Sequence, residues 1–154
     1  MSVYTYKPGE VQLLVAGAKI TGYADGTFIV ASRDENSVNK VVGADGHVSR
    51  AINSNRGGSI RITLLQTGLG NDVLNKFAEY DENTGLGVFK VAVKSGETTI
   101  FAANGWVEKH PDYEFGKESG NREWTIGVDH LKPAVEPRQV ITPITDNISS
   151  IVNS

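Results

Sequence analysis

From Ser59 to Gln66 the chain alternates with a period of two: Ile60, Ile62 and Leu64 share one face, and Ser59, Arg61 and Thr63 share the other. Side chains of a strand point to opposite faces in turn, so such a segment buries one face and leaves the other for water or a contact, as in an antiparallel sheet. The same period recurs. Val88 to Lys94 turns Phe89, Val91 and Val93 inward, with Lys90 and Lys94 outward. Arg122 to Leu131 turns Trp124, Ile126 and Val128 inward, with Glu123, Thr125 and Asp129 outward. Thr98 to Lys109 is a further strand, joined to the one before it by a turn at Ser95-Gly96-Glu97. Earlier in the chain, Val11 to Ala16, Ala18 to Ile20, Thr27 to Arg33 and Val38 to Val42 read as strands. Ala24-Asp25-Gly26 and Ala44-Asp45-Gly46 read as turns, because Asp-Gly readily supplies the positive φ that hairpins require.

One helix interrupts this pattern. Leu69, Val73, Phe77 and Tyr80 recur at three-to-four spacing, Asn71 can cap, and Asp72 sits at the positive end of the dipole. The helix lies between blocks of strands instead of alternating with them. The expected fold class is therefore mainly β, an antiparallel β-sandwich or barrel with one flanking α-helix. Two stretches fall outside that body. Residues Arg33 to Gly58 are polar and asparagine-rich, and read as a long hairpin or extended loop, a kind of segment that is often functional. From Pro133 onward, Pro133, Pro137 and Pro143 break the chain, yet Ile141, Ile144, Ile148 and Ile151 keep helical spacing. The expected division is thus a body of residues 1–132 and a C-terminal arm of residues 133–154. Candidate contact residues are Arg33, Asp34, Glu35, Val38, Val41, Val42, Val48, Arg50 and Ile52 in the extended loop, and Ile144 and Ile148 in the arm.

The totals narrow the chemistry. A chain of 154 residues with 39% hydrophobic and 21% charged residues suits one soluble domain with one core. It has no cysteine, hence no disulfide, no thiolate metal site and no cysteine nucleophile. No stretch reaches the ~20 apolar residues that span a bilayer, and the first residues lack a signal-peptide pattern, so a cytoplasm is the expected place of folding. A net charge of −3 disfavours a surface built to grip nucleic acid. His47, His110 and His130 are scattered, without zinc-site spacing, and read as surface residues. Asp34-Glu35 and Asp81-Glu82 read as solvated charge. Gly68-Leu-Gly70 and Gly85-Leu-Gly87 follow no phosphate-binding pattern. No catalytic, cofactor-binding or metal site is expected. Two-faced strands with many edge positions are a liability in a monomer and an asset when a second copy pairs with them.

The segment Gly22-Tyr-Ala-Asp-Gly-Thr-Phe28, then Arg33, Gly43-Ala-Asp-Gly46 with Arg50, Gly58-Ser-Ile-Arg-Ile-Thr-Leu-Leu-Gln66 and Asn71-Asp72 resembles the tail tube proteins of bacteriophages, most of all the small tube proteins of contractile tails. The likeness spans residues 3 to 132, and order and spacing carry it. It implies two packed antiparallel sheets with a flanking helix, six copies closing a ring, and rings stacked into a tube. It further implies DNA ejected through the lumen without specific binding, a surrounding sheath, and baseplate or terminator proteins at the ends. The place would be the virion tail, assembled in the bacterial host cytoplasm, and the extended loop would meet the adjacent ring. The related alternative is the inner tube of a type VI secretion or phage-like contractile injection system. From other classes come a monomeric β-sandwich binding module, for carbohydrate for example, and a small hydrolase. Against the binding module, Trp106 and Trp124 both alternate in phase with apolar neighbours and read as core, not as an exposed aromatic groove.

Overall fold

The computed structural model describes residues 3–96, 98–132 and 139–141. In chain order the elements are β1 (Val3–Thr5), a 3-10 turn (Pro8–Glu10), β2 (Val11–Val15), β3 (Ala18–Lys19), β4 (Ile29–Arg33), β5 (Val38–Val42), β6 (Val48–Ile52) and β7 (Gly58–Leu65). The helix α1 (Gly70–Thr84) follows, then β8 (Phe89–Ser95), β9 (Thr98–Lys109), β10 (Asn121–Val128) and β11 (Gln139–Ile141). Seven strands form one sheet in the order β3-β2-β8-β9-β10-β7-β4, with every pairing antiparallel. β5 pairs only with β6, and β11 pairs with β1.

The two ends of the seven-stranded sheet are drawn together by the chain that leaves β3. Ile20 N–H still donates to Leu13 O at 2.9 Å, beside β2. Two residues on, Leu65 N–H donates to Gly22 O at 2.8 Å and Ala24 N–H to Thr63 O at 3.1 Å, beside β7. The sheet thus curls toward a barrel, and Leu13 and Val15 from one end share a core with Ile60, Ile62 and Leu64 from the other. Phe89, Val91, Val93, Trp124, Ile126 and Val128 fill the middle, the faces expected from the period-two pattern.

Glycines allow the close approach of the chain to the start of the helix. Gly22 has φ +84°, and a Cβ there would lie 2.6 Å from Gly68 Cα. A Cβ on Gly70 would lie 2.7 Å from Ile20 Cγ2. The glycines of Gly68-Leu-Gly70 are therefore packing residues. They let α1 sit directly on the chain between β3 and β4.

The same closeness corrects the expected helix face. The buried residues of α1 are Gly70, Leu74 and Ala78, with Val73 and Phe77 half-buried at the margin. Leu69 is 72% exposed and Tyr80 is 51% exposed, so neither belongs to the core. Small residues one turn either side of Leu74 bring the helix axis near the sheet and rotate the buried stripe toward them. Phe77 meets Phe89 with ring centroids 5.0 Å apart. Asn71 is not the cap: that position is Leu69, which makes no side-chain cap bond. The helix ends at Gly85 with φ +72°, whose N–H donates to Asp81 O, as left-handed glycine ends usually do.

Trp124 is buried in the core, but Trp106 is only half-buried. Trp106 stands opposite Gly127, between the core-facing neighbours Gly105 and Val107, and so projects from the outer face of the sheet. Of the C-terminal residues expected to form an arm, 139–141 pair antiparallel with 3–5, while Ile144 and Ile148 lie outside the described residues.

Candidate functional site

The segment between β4 and β7 projects as an arm, and its foot is tied to the barrel. Arg33, the last residue of β4, donates from Nε to Leu131 O at 2.8 Å and from Nη1 to Ser37 Oγ at 2.6 Å. Asp34 N–H donates to Gly57 O at 3.2 Å, and Leu131 N–H to Arg56 O at 2.7 Å. Glu35 Oε2 accepts from Asn53 Nδ2 at 2.6 Å, and Asn53 N–H donates to Ser37 O at 2.9 Å. The asparagines that marked a hairpin or extended loop serve as side-chain turn and clamp residues: Asn53 Oδ1 and Asn55 Oδ1 accept from the N–H groups of Asn55 and Gly57.

Above this foot the arm is a two-stranded ladder. Val38, Asn39, Lys40, Val41 and Val42 face Ile52, Ala51, Arg50, Ser49 and Val48 in register. All ten residues are exposed. Val41, Val42, Val48 and Ile52 are 58%, 58%, 59% and 74% accessible. Of the residues expected in contacts, the structure therefore brings Val38, Val42, Val48, Arg50 and Ile52 onto one face of the ladder, where Lys40, not among them, stands opposite Arg50, and it turns Val41 onto the other. Arg33 and Glu35 brace the foot, and Asp34 holds it through its backbone.

The roles of two residues escaped the sequence reading. Asn71 Oδ1 accepts from Trp124 Nε1 at 2.8 Å, while its Nδ2 donates to Leu65 O at 2.8 Å and Gly68 O at 3.0 Å. It locks the β7–α1 turn to the core. Arg122 is 4% exposed, a buried guanidinium packed 5.1 Å from the Tyr113 ring centre and 5.5 Å from that of Phe115. The aromatic pair Tyr-x-Phe ahead of the strand was the available signal, because such rings cover a cation face.

The titratable side chains form pairs, not constellations. His110 Nε2 lies 3.1 Å from Glu82 Oε1 with its ring against Trp124, and His47 lies 3.5 Å from Asp45 at the arm's tip. Asp81 Oδ1 accepts from Gly87 N–H at 3.0 Å and so finishes the helix end. Among the described residues no group of three or more His, Asp or Glu is placed to hold a metal. An open groove of about 430 Å³ is lined by Tyr6, Val11, Phe28, Ile29, Ile100 and Phe101 among others, without a carboxylate, imidazole or amine.

Comparison with known proteins bears on the same body. Structural protein ORF10 of Pseudomonas phage KPP10 is 26% identical over 151 residues, covering 92% of this chain and 87% of that protein. Among solved structures, the anti-feeding prophage cap, which terminates a tube, aligns at TM-score 0.49 and 11% identity over 92% of this chain and 93% of that one. The sheath/tube terminator of the extracellular contractile injection system PVC aligns at TM-score 0.48 and 11% identity over 86% and 99%. The family model described as bacteriophage PhiTE tail tube protein matches residues 6–134, which takes in the whole barrel, the arm and the helix. With the barrel, its projecting arm and its one helix all inside that match, the chain belongs to the PhiTE family of bacteriophage tail tube proteins.

Proposed function

We propose that the protein is a structural subunit of the tail tube, without enzymatic activity: six copies close a ring, rings stack, and the lumen is the conduit for DNA ejected into the host cell. The observation that carries this reading is the arm. A ladder of ten exposed residues that displays valines and an isoleucine, on a foot braced by Arg33, is costly in a monomer. Burying each such side chain contributes ~1.5–3 kcal/mol, which a neighbouring copy can supply. Strand β4 supports the same reading, since among the described residues it pairs on one side, with β7, and it contains no proline. Its outer N–H and C=O groups suit strand addition from the next subunit. A heterologous contact of this kind closes into a ring, and its repetition along the axis gives a polymer. The expected neighbours are a sheath outside and baseplate and terminator proteins at the ends. Residues 133–154, with Ile144 and Ile148, form a docking arm in this reading. DNA passes a neutral to acidic wall, because a basic one would hold the phosphate backbone by counterion release.

The test removes the arm without touching the barrel. Ser37 O and Asn53 N already meet at 2.9 Å, so residues 38–52 can be replaced by a two-residue Gly-Ser turn. Wild type should form rings or tubes by negative-stain microscopy and sediment as a polymer. The shortened protein should be folded by circular dichroism and fail to stack. Normal tubes from it, or a wild type that stays monomeric at every concentration, would overturn the proposal.

A further inference from the structure

Lys40 and Arg50 stand directly opposite each other in the β5–β6 ladder. Like charges at facing positions destabilise a strand pair. Neither makes a salt bridge among the described residues. The pair is framed on the same face by Val38 with Ile52 on one side and Val42 with Val48 on the other. This face is thus a pair of cations between two apolar steps, and nothing among the described residues covers it.

The opposite pattern occurs at the end of α1. Glu79, Asp81 and Glu82 crowd its last turns, which hold no basic residue. Carboxylates there face the negative end of the helix dipole, the arrangement helices ordinarily avoid. From Gly70 to Val88, four acids against Lys76 leave −3, as much as the net charge of the whole chain. Exposed Tyr80, Leu86 and Val88 surround this acidic end. Asp81 is engaged with Gly87, Glu82 with His110, and Glu79 Oε1 accepts a long bond of 3.3 Å from Asn75 Nδ2 on its own helix, which leaves the outer sides of Glu79 and Glu82 open to a partner.

We propose that the cationic face of the arm docks on the C-terminal end of helix α1 of a second copy, with Lys40 and Arg50 meeting Glu79 and Glu82 and the valine–isoleucine steps covering Tyr80, Leu86 and Val88. Two charge clusters, each unfavourable alone, become complementary when joined. The contact is heterologous, so every copy offers one arm and one helix end, and docking repeats without limit. The inference rests on the tube reading and names the surface that the arm engages.

Charge reversal tests it on the full chain. K40E/R50E and E79K/E82K should each remain folded by circular dichroism and raise the protein concentration needed for assembly at least tenfold. The fourfold variant carrying both sets should return to within about threefold of wild type. Assembly of wild type should weaken with salt, as the Debye length shrinks from about 10 Å at 0.1 M to about 3 Å at 1 M. The chain has no cysteine, so R50C mixed with E79C under oxidising conditions gives a clean second readout. A covalent heterodimer is expected. Tubes from both reversed variants at wild-type concentration would overturn this contact and leave the tube reading standing. Failure of the fourfold variant to recover, or no heterodimer from the cysteine pair, would also overturn it. A wild type that never assembles would remove the tube reading and the contact together.

Discussion

Replacing Asn71 by alanine should destabilise the fold by about 2–3 kcal/mol, although Asn71 lies near the surface and on a helix that alanine favours. Trp124 is 1% exposed, and its Nε1–H donates to Asn71 Oδ1 at 2.8 Å, its one partner among the described residues. Without that acceptor a buried donor is left unpaired, which costs roughly 1–3 kcal/mol. The two amide bonds to Leu65 O and Gly68 O contribute about 0.5–1.5 kcal/mol each in general. They belong at the low end here, because those carbonyls can be rehydrated at the turn. Against this, alanine gains about 0.5 kcal/mol of helix propensity. The net loss corresponds to a fall in Tm of about 4–12 °C for a domain of this size. Urea unfolding followed by tryptophan fluorescence and by circular dichroism would measure it. N71D sharpens the test, since it keeps the acceptor for Trp124 but aims a carboxylate oxygen at two carbonyls. It should cost about as much as alanine despite its identical shape. Midpoints for both variants within about 0.5 kcal/mol of wild type would refute the view that this side chain locks the turn to the core.

Three further outcomes follow from the geometry. Gly22→Ala should destabilise far more than Gly26→Ala: both have φ +84°, but a Cβ at Gly22 would lie 2.6 Å from Gly68 Cα whereas Gly26 faces open space. Denaturation midpoints should put the Gly26 variant near ~1 kcal/mol of backbone strain and the Gly22 variant well beyond it. Burial pushes the Tyr23 phenol above its ordinary 10.0, partly offset by the N–H it accepts from Leu13. The folded state therefore holds this proton longer than the unfolded chain, so its contribution is complete below about pH 10 and is lost as pH rises through the folded value. Absorbance near 295 nm should show one of the five tyrosines ionising last, and Tyr23→Phe should remove that step. Amides of β5 and β6 should exchange rapidly in the free subunit, where all ten residues of the ladder are exposed, and become protected in tubes. Equal protection in both states would show that the arm belongs to the monomer fold alone.

The strands of the barrel were legible because period two survives wherever one face is wholly buried. Phe89, Val91, Val93, Trp124, Ile126 and Val128 point where their alternation says. The misreadings have one cause, that pattern counts large apolar residues while packing depends on small ones. Gly70 and Ala78 decided which face of α1 is buried, and Gly127 left room on the outer face for the Glu108 side chain, next but one to Trp106. None of these signals is a large apolar side chain. Arg122 was illegible for a related reason. Its burial depends on Tyr113 and Phe115, which belong to an irregular segment whose course periodicity does not describe.

The arm shows where sequence and structure divide the work. Val38, Lys40 and Val42 alternate just as Ile60, Ile62 and Leu64 do, and alternation says only that the two faces of a strand differ. It does not say whether the apolar face is reserved for the chain's own core or for another molecule. Charge resolves the matter. The core face of β7 carries no ionised side chain, because a lone charge cannot be buried without a partner. The corresponding face of the arm sets Lys40 against Arg50 between its apolar steps. Among the described residues neither cation meets a carboxylate, and the face gains little from water, which leaves its valines exposed. It fits a surface that offers acids and apolar area together, and the end of α1 on another copy is such a surface.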